Sequence, residues 1–239
     1  MEKRRIIILL AVLTLVVVSL ANIKKEELEI FWFDTTYVKE VKKANDQHKR
    51  PSPERIYHFE MQEVTVHDFD AQGYVLAIGG GGEGVIGQLK GQQVIAIDIS
   101  KSELEGTPPG PLKIIMDARD LKFLDDTFNT AASFFTLCYI DGTDHEKVFE
   151  EVFRVLVSGG RFLIWDVIFL KRVDEKKDIA VIPLTAKLPD KKITTGYGVR
   201  WPEKVRDLSY YVNLAERIGF EVVSKKEKNR WFYLELKKP

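Results

Sequence analysis

The chain of 239 residues holds one cysteine, Cys138, so no disulfide can form within it. Four histidines are present, His48, His58, His67 and His145, and none stands at a spacing that suits a zinc site; no metal is expected. Neither charge is in surplus: 36 Lys and Arg face 36 Asp and Glu, for a formal net charge of zero. Binding along nucleic-acid phosphates calls for a basic excess, so that partner is not expected. Repeats and low-complexity tracts are absent, and 45% hydrophobic with 30% charged residues is a globular composition. Also missing are the G-x-S-x-G nucleophile elbow and the H-E-x-x-H zinc motif.

What is present begins with a run of 18 uncharged residues, 6–23, behind Lys3, Arg4 and Arg5 and ahead of Lys24 and Lys25. At about 1.5 Å per residue it just spans a hydrocarbon layer of about 30 Å. It fits a membrane anchor, a cleaved secretory signal with Ser19-Leu20-Ala21 as the small-x-small site, or a buried helix. The run is apolar all round, which favours the anchor over the buried helix. The chain is therefore expected to be single-pass and membrane-anchored, with the membrane as a partner through residues 1–23. The three N-terminal cations favour an N-terminus inside and the rest outside, and Lys24 and Lys25 blunt that bias. Residues 24–69, dense in charge with Phe31, Trp32, Phe33 and Tyr37, are expected as a helical extension broken by Pro51-Ser52-Pro53.

From residue 70 onward the pattern alternates. Apolar runs at 74–78, 93–97, 112–116, 130–137 and 161–169 read as strands, and 85–90, 144–156 and 205–218 as helices. Such alternation predicts an α/β domain with a parallel sheet covered on both faces. Residues 171–204, charged and rich in Pro and Gly, interrupt it as an insertion that forms a lid or substrate wall. The last two runs, 220–225 and 231–236, are too close for a parallel crossover and must form an antiparallel hairpin.

Gly79-Gly80-Gly81-Gly82-Glu83-Gly84 joins the first strand to its helix, and Gly79, Gly81 and Gly84 fit G-x-G-x-x-G. Glycines let backbone approach a ligand closely. Asp98, at the end of the second strand, suits a ribose diol. Asp117, at the end of the third, suits an adenine amino group and equally a turn cap. Ligands of open α/β sheets bind at this rim. A P-loop reading fails because Gln88-Leu89 follow Gly87 where Lys-Ser/Thr are needed. A nicotinamide-dependent oxidoreductase would share the glycines and Asp98. The only Tyr-x-x-x-Lys, Tyr233 to Lys237, lies in the terminal strand.

The segments YVLAIGGGGEG, IAIDIS, MDARDL and VLVSGGRF, in that order over residues 70–168, resemble the successive motifs of class I S-adenosylmethionine-dependent methyltransferases. The resemblance implies a doubly wound Rossmann-like sheet of seven mostly parallel strands with an antiparallel last strand. It implies S-adenosylmethionine as cofactor, with Gly79, Gly80, Gly81 and Gly84 forming the loop. Gly79 and Gly81 would lie near the methionine moiety, Asp98 at the ribose, Asp117 and Ala118 at the adenine, and Phe134 and Phe135 beside cofactor and substrate, with Ile99 also among the cofactor-binding residues. The family's acid two residues before the first glycine is Ala77 here, and Glu83 is the carboxylate that could replace it.

Methyl transfer needs alignment above all, and a base only where the acceptor must lose a proton. Tyr139, Asp141 and His145 are the candidates near the fourth strand, with His145 also fitting a solvated helix start. Tyr197 and Trp201 could contact an acceptor from the insertion. The expected reaction is methylation of a small molecule. The alternatives are an NAD-dependent oxidoreductase and a membrane-tethered methyltransferase-like protein without catalysis. Because the cofactor is cytosolic, an active domain is expected to face the cytoplasm, against the bias of the N-terminal charges.

Overall fold

A computed structural model describes residues 51–239. The expected anchor and the first part of the extension lie outside the described residues. Among the described residues no helix is long and apolar enough to cross a membrane.

In chain order the elements are β1 (Ile56–His58), β2 (Gln62–Thr65), β3 (Val75–Ile78), α1 (Val85–Lys90), β4 (Val94–Asp98), α2 (Lys101–Gly106), β5 (Leu112–Ile115), β6 (Phe128–Phe134) and α3 (His145–Val155). They continue with β7 (Leu156–Val167), β8 (Ile179–Lys187), β9 (Lys192–Arg200), α4 (Leu208–Ile218), β10 (Glu221–Lys228) and β11 (Trp231–Lys237). Seven strands form one sheet in the order β10-β11-β7-β6-β3-β4-β5. All neighbouring pairs from β7 to β5 are parallel. Strand β11 is antiparallel to both β7 and β10, as the short terminal connection requires.

The chain enters at β3, winds outward through β4 and β5, and returns to β6 on the other side of β3. The direction of winding reverses between β3 and β6, which opens a crevice at their carboxyl ends. All four residues of β3 are buried, as expected for a central strand covered on both faces. Strand β7 begins at Leu156, earlier than the apolar run 161–169 suggests. Its register shifts between Phe128 and Thr130 of β6, with Gly159 at φ +80° absorbing the irregularity.

Helices α3 and α4 close one face, burying Val148, Phe149, Val152, Tyr211 and Leu214 against Ile164, Phe162 and Phe232. Asp207 caps α4 by accepting from the Tyr210 N–H at 2.9 Å, and Gly219 ends it in the left-handed conformation. Helices α1 and α2 cover part of the opposite face. A second sheet covers the rest; it corrects one expectation and gives the expected insertion its form.

The extension is not helical where it is described. Only a three-residue 3-10 turn, Pro53–Arg55, precedes β1 and β2, and both strands pair in parallel with β8. The segment expected as an insertion is the β8–β9 hairpin. Burial alternates along β8, with Ala180, Ile182, Leu184 and Ala186 inward, the period of a strand with one face buried. Pro183 fits this strand for a structural reason. Val181 and Lys187 accept from Phe59 and Val66 on the β1–β2 edge, so Pro183 faces that edge too, between the end of β1 and the start of β2. No ladder donor is lost there.

Candidate functional site

A cleft of about 680 Å³ opens at the β3/β6 switch point. Its floor is the glycine loop. Gly79 has φ +64°, and a Cβ there would fall 2.2 Å from Thr136 Cγ2. At Gly81 a Cβ would meet Asp98 Oδ2 and Glu103 Cβ, each at 2.6 Å. Both positions demand glycine, and the bare backbone they leave faces the cavity.

Asp98 ends β4 with both oxygens engaged. Oδ2 accepts from the Gly81 N–H at 3.2 Å and Oδ1 from the Ser100 N–H at 2.8 Å. The carboxylate thus fixes the loop while lining the cleft. Asp117, just beyond β5, is gripped by Arg119, whose Nη2 donates to Oδ2 at 2.7 Å and whose backbone N–H donates to Oδ1 at 2.9 Å. That guanidinium holds the Asp117 carboxyl below the usual range. The other arm of Arg119 donates to Asp144 at 2.7 Å. The lone guanidinium of the lining is therefore neutralised on both sides.

Beyond β6 the chain turns sharply. Phe135 takes φ +50°, a strained value for an aromatic residue. Its ring stacks on Tyr197 of β9 at 5.6 Å and 25°. Tyr139, in the 3-10 turn Leu137–Tyr139, meets the same Tyr197 edge-on at 6.2 Å. Glu83 reaches across from the glycine loop to this wall. Tyr197 Oη donates to its Oε2 at 3.2 Å, and Thr195 Oγ1 donates to its Oε1. Burial and the Glu83 carboxylate raise the Tyr197 pKa, so its hydroxyl stays protonated.

Of the residues expected at the site, Gly79, Gly81, Asp98, Ile99, Asp117, Ala118, Phe134, Phe135, Tyr139, Asp141 and Tyr197 line the cleft. Gly80 and Gly84 do not. They line a small hollow behind the loop, where the Gly80 N–H donates to the Ile97 carbonyl at 2.8 Å and the Gly84 N–H to Gly81 at 3.2 Å. Both shape the turn rather than face the cleft.

His145 is neither a base nor a solvated side chain: it is fully buried. Nε2–H donates to the Leu137 carbonyl at 2.9 Å, and in this neutral form Nδ1 accepts from the Tyr210 hydroxyl at 3.0 Å. Burial pulls its pKa down to about 4. Trp201 lies outside the cleft as well, packed on Tyr57, Phe59 and Phe169. Ala77 is buried between Ala96 and Ala132, its partners on β4 and β6, and borders the small hollow behind the loop rather than the cleft.

Sequence reading missed Thr136, Glu103, Arg119, Ile140, Asp144 and Gly196, all in the lining. Thr136 directly follows Phe134-Phe135 and was findable as the next residue of the same turn. Its Oγ1 donates to the Ile78 carbonyl at 3.1 Å, tying β6 to β3 across the crevice.

Residues 76–164 match a family model described as a methyltransferase domain. A 65-residue stretch is 38% identical to the sterol 4-C-methyltransferase strm-1 of Caenorhabditis elegans, covering 27% of this chain and 18% of that protein. A solved structure from Methanosarcina mazei, titled as a SAM-dependent methyltransferase, aligns over 71% of this chain and 94% of its own, with TM-score 0.51 and 18% identity. Another from Thermotoga maritima, also titled as a SAM-dependent methyltransferase, aligns over 70% and 83%, with TM-score 0.52 and 20% identity.

Proposed function

We propose that the protein, whose residues 76–164 match a methyltransferase-domain model, moves a methyl group from S-adenosylmethionine to a small-molecule acceptor in the cleft, in the manner of class I methyltransferases. One observation carries the reading: loop backbone without Cβ atoms, a carboxylate at the next strand end and an aromatic wall after β6 meet around one cavity at the switch point. Bare backbone and strand-end acids suit an adenosine with an amino-acid tail.

When bound, S-adenosylmethionine supplies an electrophilic methyl group on a sulfonium sulfur. The residues of the chain do the rest. Gly79 and Gly81 admit the cofactor close to the backbone. Asp98 keeps the loop in shape and accepts from ribose hydroxyls, with Ile99 beside it. Asp117 and Ala118 receive the adenine edge, and Phe134 and Phe135 exclude water. Ala77 stands in place of the family's usual acid, and Glu83, on the loop, is turned away to Thr195 and Tyr197 on the opposite wall. Among the described residues no histidine lines the cleft, and His145 is sealed in the core. Alignment is therefore the main contribution of the protein to catalysis.

The same reading keeps residues 6–23 as a single-pass anchor with the domain on the cytoplasmic side, supported by the uncharged run and by the cytosolic supply of cofactor. Protease protection in sealed vesicles tests it: a domain digested by protease added outside intact cells would refute it. For the activity, the test is calorimetric titration of the full chain in mild detergent with S-adenosylhomocysteine and with NAD. Binding of the homocysteine adduct alone is expected. NAD binding alone would favour an oxidoreductase, and binding of neither a non-catalytic protein.

A further inference from the structure

The acceptor end of the cleft carries a charge pattern that methyl transfer itself does not demand. Glu83 is fixed there by two hydroxyls, Thr195 Oγ1 on one carboxylate oxygen and Tyr197 Oη on the other. Each oxygen offers about two acceptor sites, so each keeps room for one more donor. Beside it stand the aromatic faces of Phe135, Tyr139 and Tyr197. Apart from Asp98 and Asp117, which serve the cofactor, the carboxylates Glu103, Asp141 and Asp144 share the lining, and its one guanidinium among the described residues, Arg119, is already bound by Asp117 and Asp144.

We propose that the acceptor is a small amine whose nitrogen donates to Glu83 and whose carbon frame lies on the Phe135–Tyr139–Tyr197 wall. The proposal rests on the methyltransferase reading of the same cleft. A fixed carboxylate attracts an ammonium group by charge, and neighbouring ring faces add a cation–π term. Glu83 would take one ammonium proton, the freed nitrogen lone pair would form the N–CH3 bond as the sulfonium S–CH3 bond breaks, and S-adenosylhomocysteine would leave as the neutral thioether. A carboxylate or phosphate ester meets like charge on several sides and, among the described residues of the lining, no free cation. A neutral alcohol satisfies one lone pair of Glu83 and gains no charge attraction.

The test uses the full chain saturated with S-adenosylhomocysteine, titrated calorimetrically with phenethylamine, 2-phenylethanol and phenylacetate. These share a phenyl group and differ in charge. The amine is expected to bind about tenfold or more tighter than the alcohol, and the acid weakest. Glu83→Gln should lose about tenfold for the amine and less than about threefold for the alcohol, and Glu83→Asp should recover part of the loss. Equal or tighter binding of the acid or the alcohol would overturn the proposal. So would an amine preference that survives Glu83→Gln, or cholesterol in the same detergent binding more tightly than the amine. If S-adenosylhomocysteine itself fails to bind, the methyltransferase reading falls, and this inference with it. Bound homocysteine adduct without amine preference sinks the inference alone.

Discussion

The two faces of the central sheet are closed by different means. On one, α3 and α4 lay amphipathic surfaces over β6, β7 and β11, with Phe149, Phe162, Tyr211 and Phe220 packed together. None of these rings lines the cleft. On the other face, α1 and α2 share the work with a small sheet whose β9 sends Tyr197 and Thr195 to the glycine loop. One face holds the sheet together. The other also builds the wall of the cleft. The separation means that stability and ligand binding can be perturbed independently, and mutation can test it.

The largest expected effect falls on the helix-covered face. Phe149→Ala removes a fully buried ring and should cost about 3–5 kcal/mol in chemical denaturation. Affinity for S-adenosylhomocysteine, measured where the variant is still folded, should change less than about threefold. A large loss of affinity would break the comparison.

Next comes a pH effect from two buried groups of that same region. His145, with its pKa lowered from 6.5 to about 4 chiefly by burial, folds neutral. Its stabilising share is complete above pH 6.5 and is lost as pH falls toward 4. Asp166, fully buried at the end of β7, has its pKa raised from 3.8 to about 6 by burial. Its share is complete below pH 3.8 and is lost as pH rises toward 6, the opposite sign. Each contributes about 3 kcal/mol, so in the intact protein they largely cancel between pH 4 and 6. Asp166 now accepts from the Val167 N–H at 2.7 Å and the Cys138 N–H at 3.3 Å, and Asp166→Asn keeps an acceptor for one of the two at a pH-independent cost for the other. Its stability should fall more steeply than wild type on acidification from pH 6.5, which denaturation at graded pH would reveal. An unchanged slope would refute the assignment to Asp166.

On the cleft side, Gly79→Val introduces side-chain atoms where Thr136 already stands and forces φ +64° on a branched residue. A loss of about 100-fold or more in S-adenosylhomocysteine affinity is expected. Asp98→Ala removes the acceptor of the Gly81 and Ser100 N–H groups and should weaken binding about tenfold. The smallest effect belongs to Tyr197→Phe, which keeps the stacked ring and loses one hydrogen bond to Glu83. Binding of the homocysteine adduct should shift by about threefold or less. A tenfold shift there would place the tyrosine with the cofactor rather than the acceptor.

How much was legible in the sequence follows the same division. The parallel strands, the helix over α1 and the terminal hairpin were readable because apolar runs and turn residues mark them locally. The carboxylate at Asp98 was readable because it ends a strand. The second sheet was not. Strands β1 and β2 are three and four residues long, and they exist only because β8 supplies the edge, a contact more than 120 residues away in the chain. Its proline and glycines read as loop, although Pro183 falls where no donor is needed. The roles of Glu83, Thr136 and Arg119 depend on partners brought together by the crossover, and no spacing announces them. His145 misled because its acidic neighbours Asp144 and Glu146 suggest a solvated helix start, while its own ring points into the core.

The most direct measurement is a crystal structure of the complex with S-adenosylhomocysteine. Asp98 is predicted to accept hydrogen bonds from the ribose hydroxyls, with the adenine at Asp117–Ala118 and the sulfur directed toward the Phe135–Tyr139–Tyr197 wall. An adduct bound elsewhere, or a ribose out of reach of Asp98, would contradict the account.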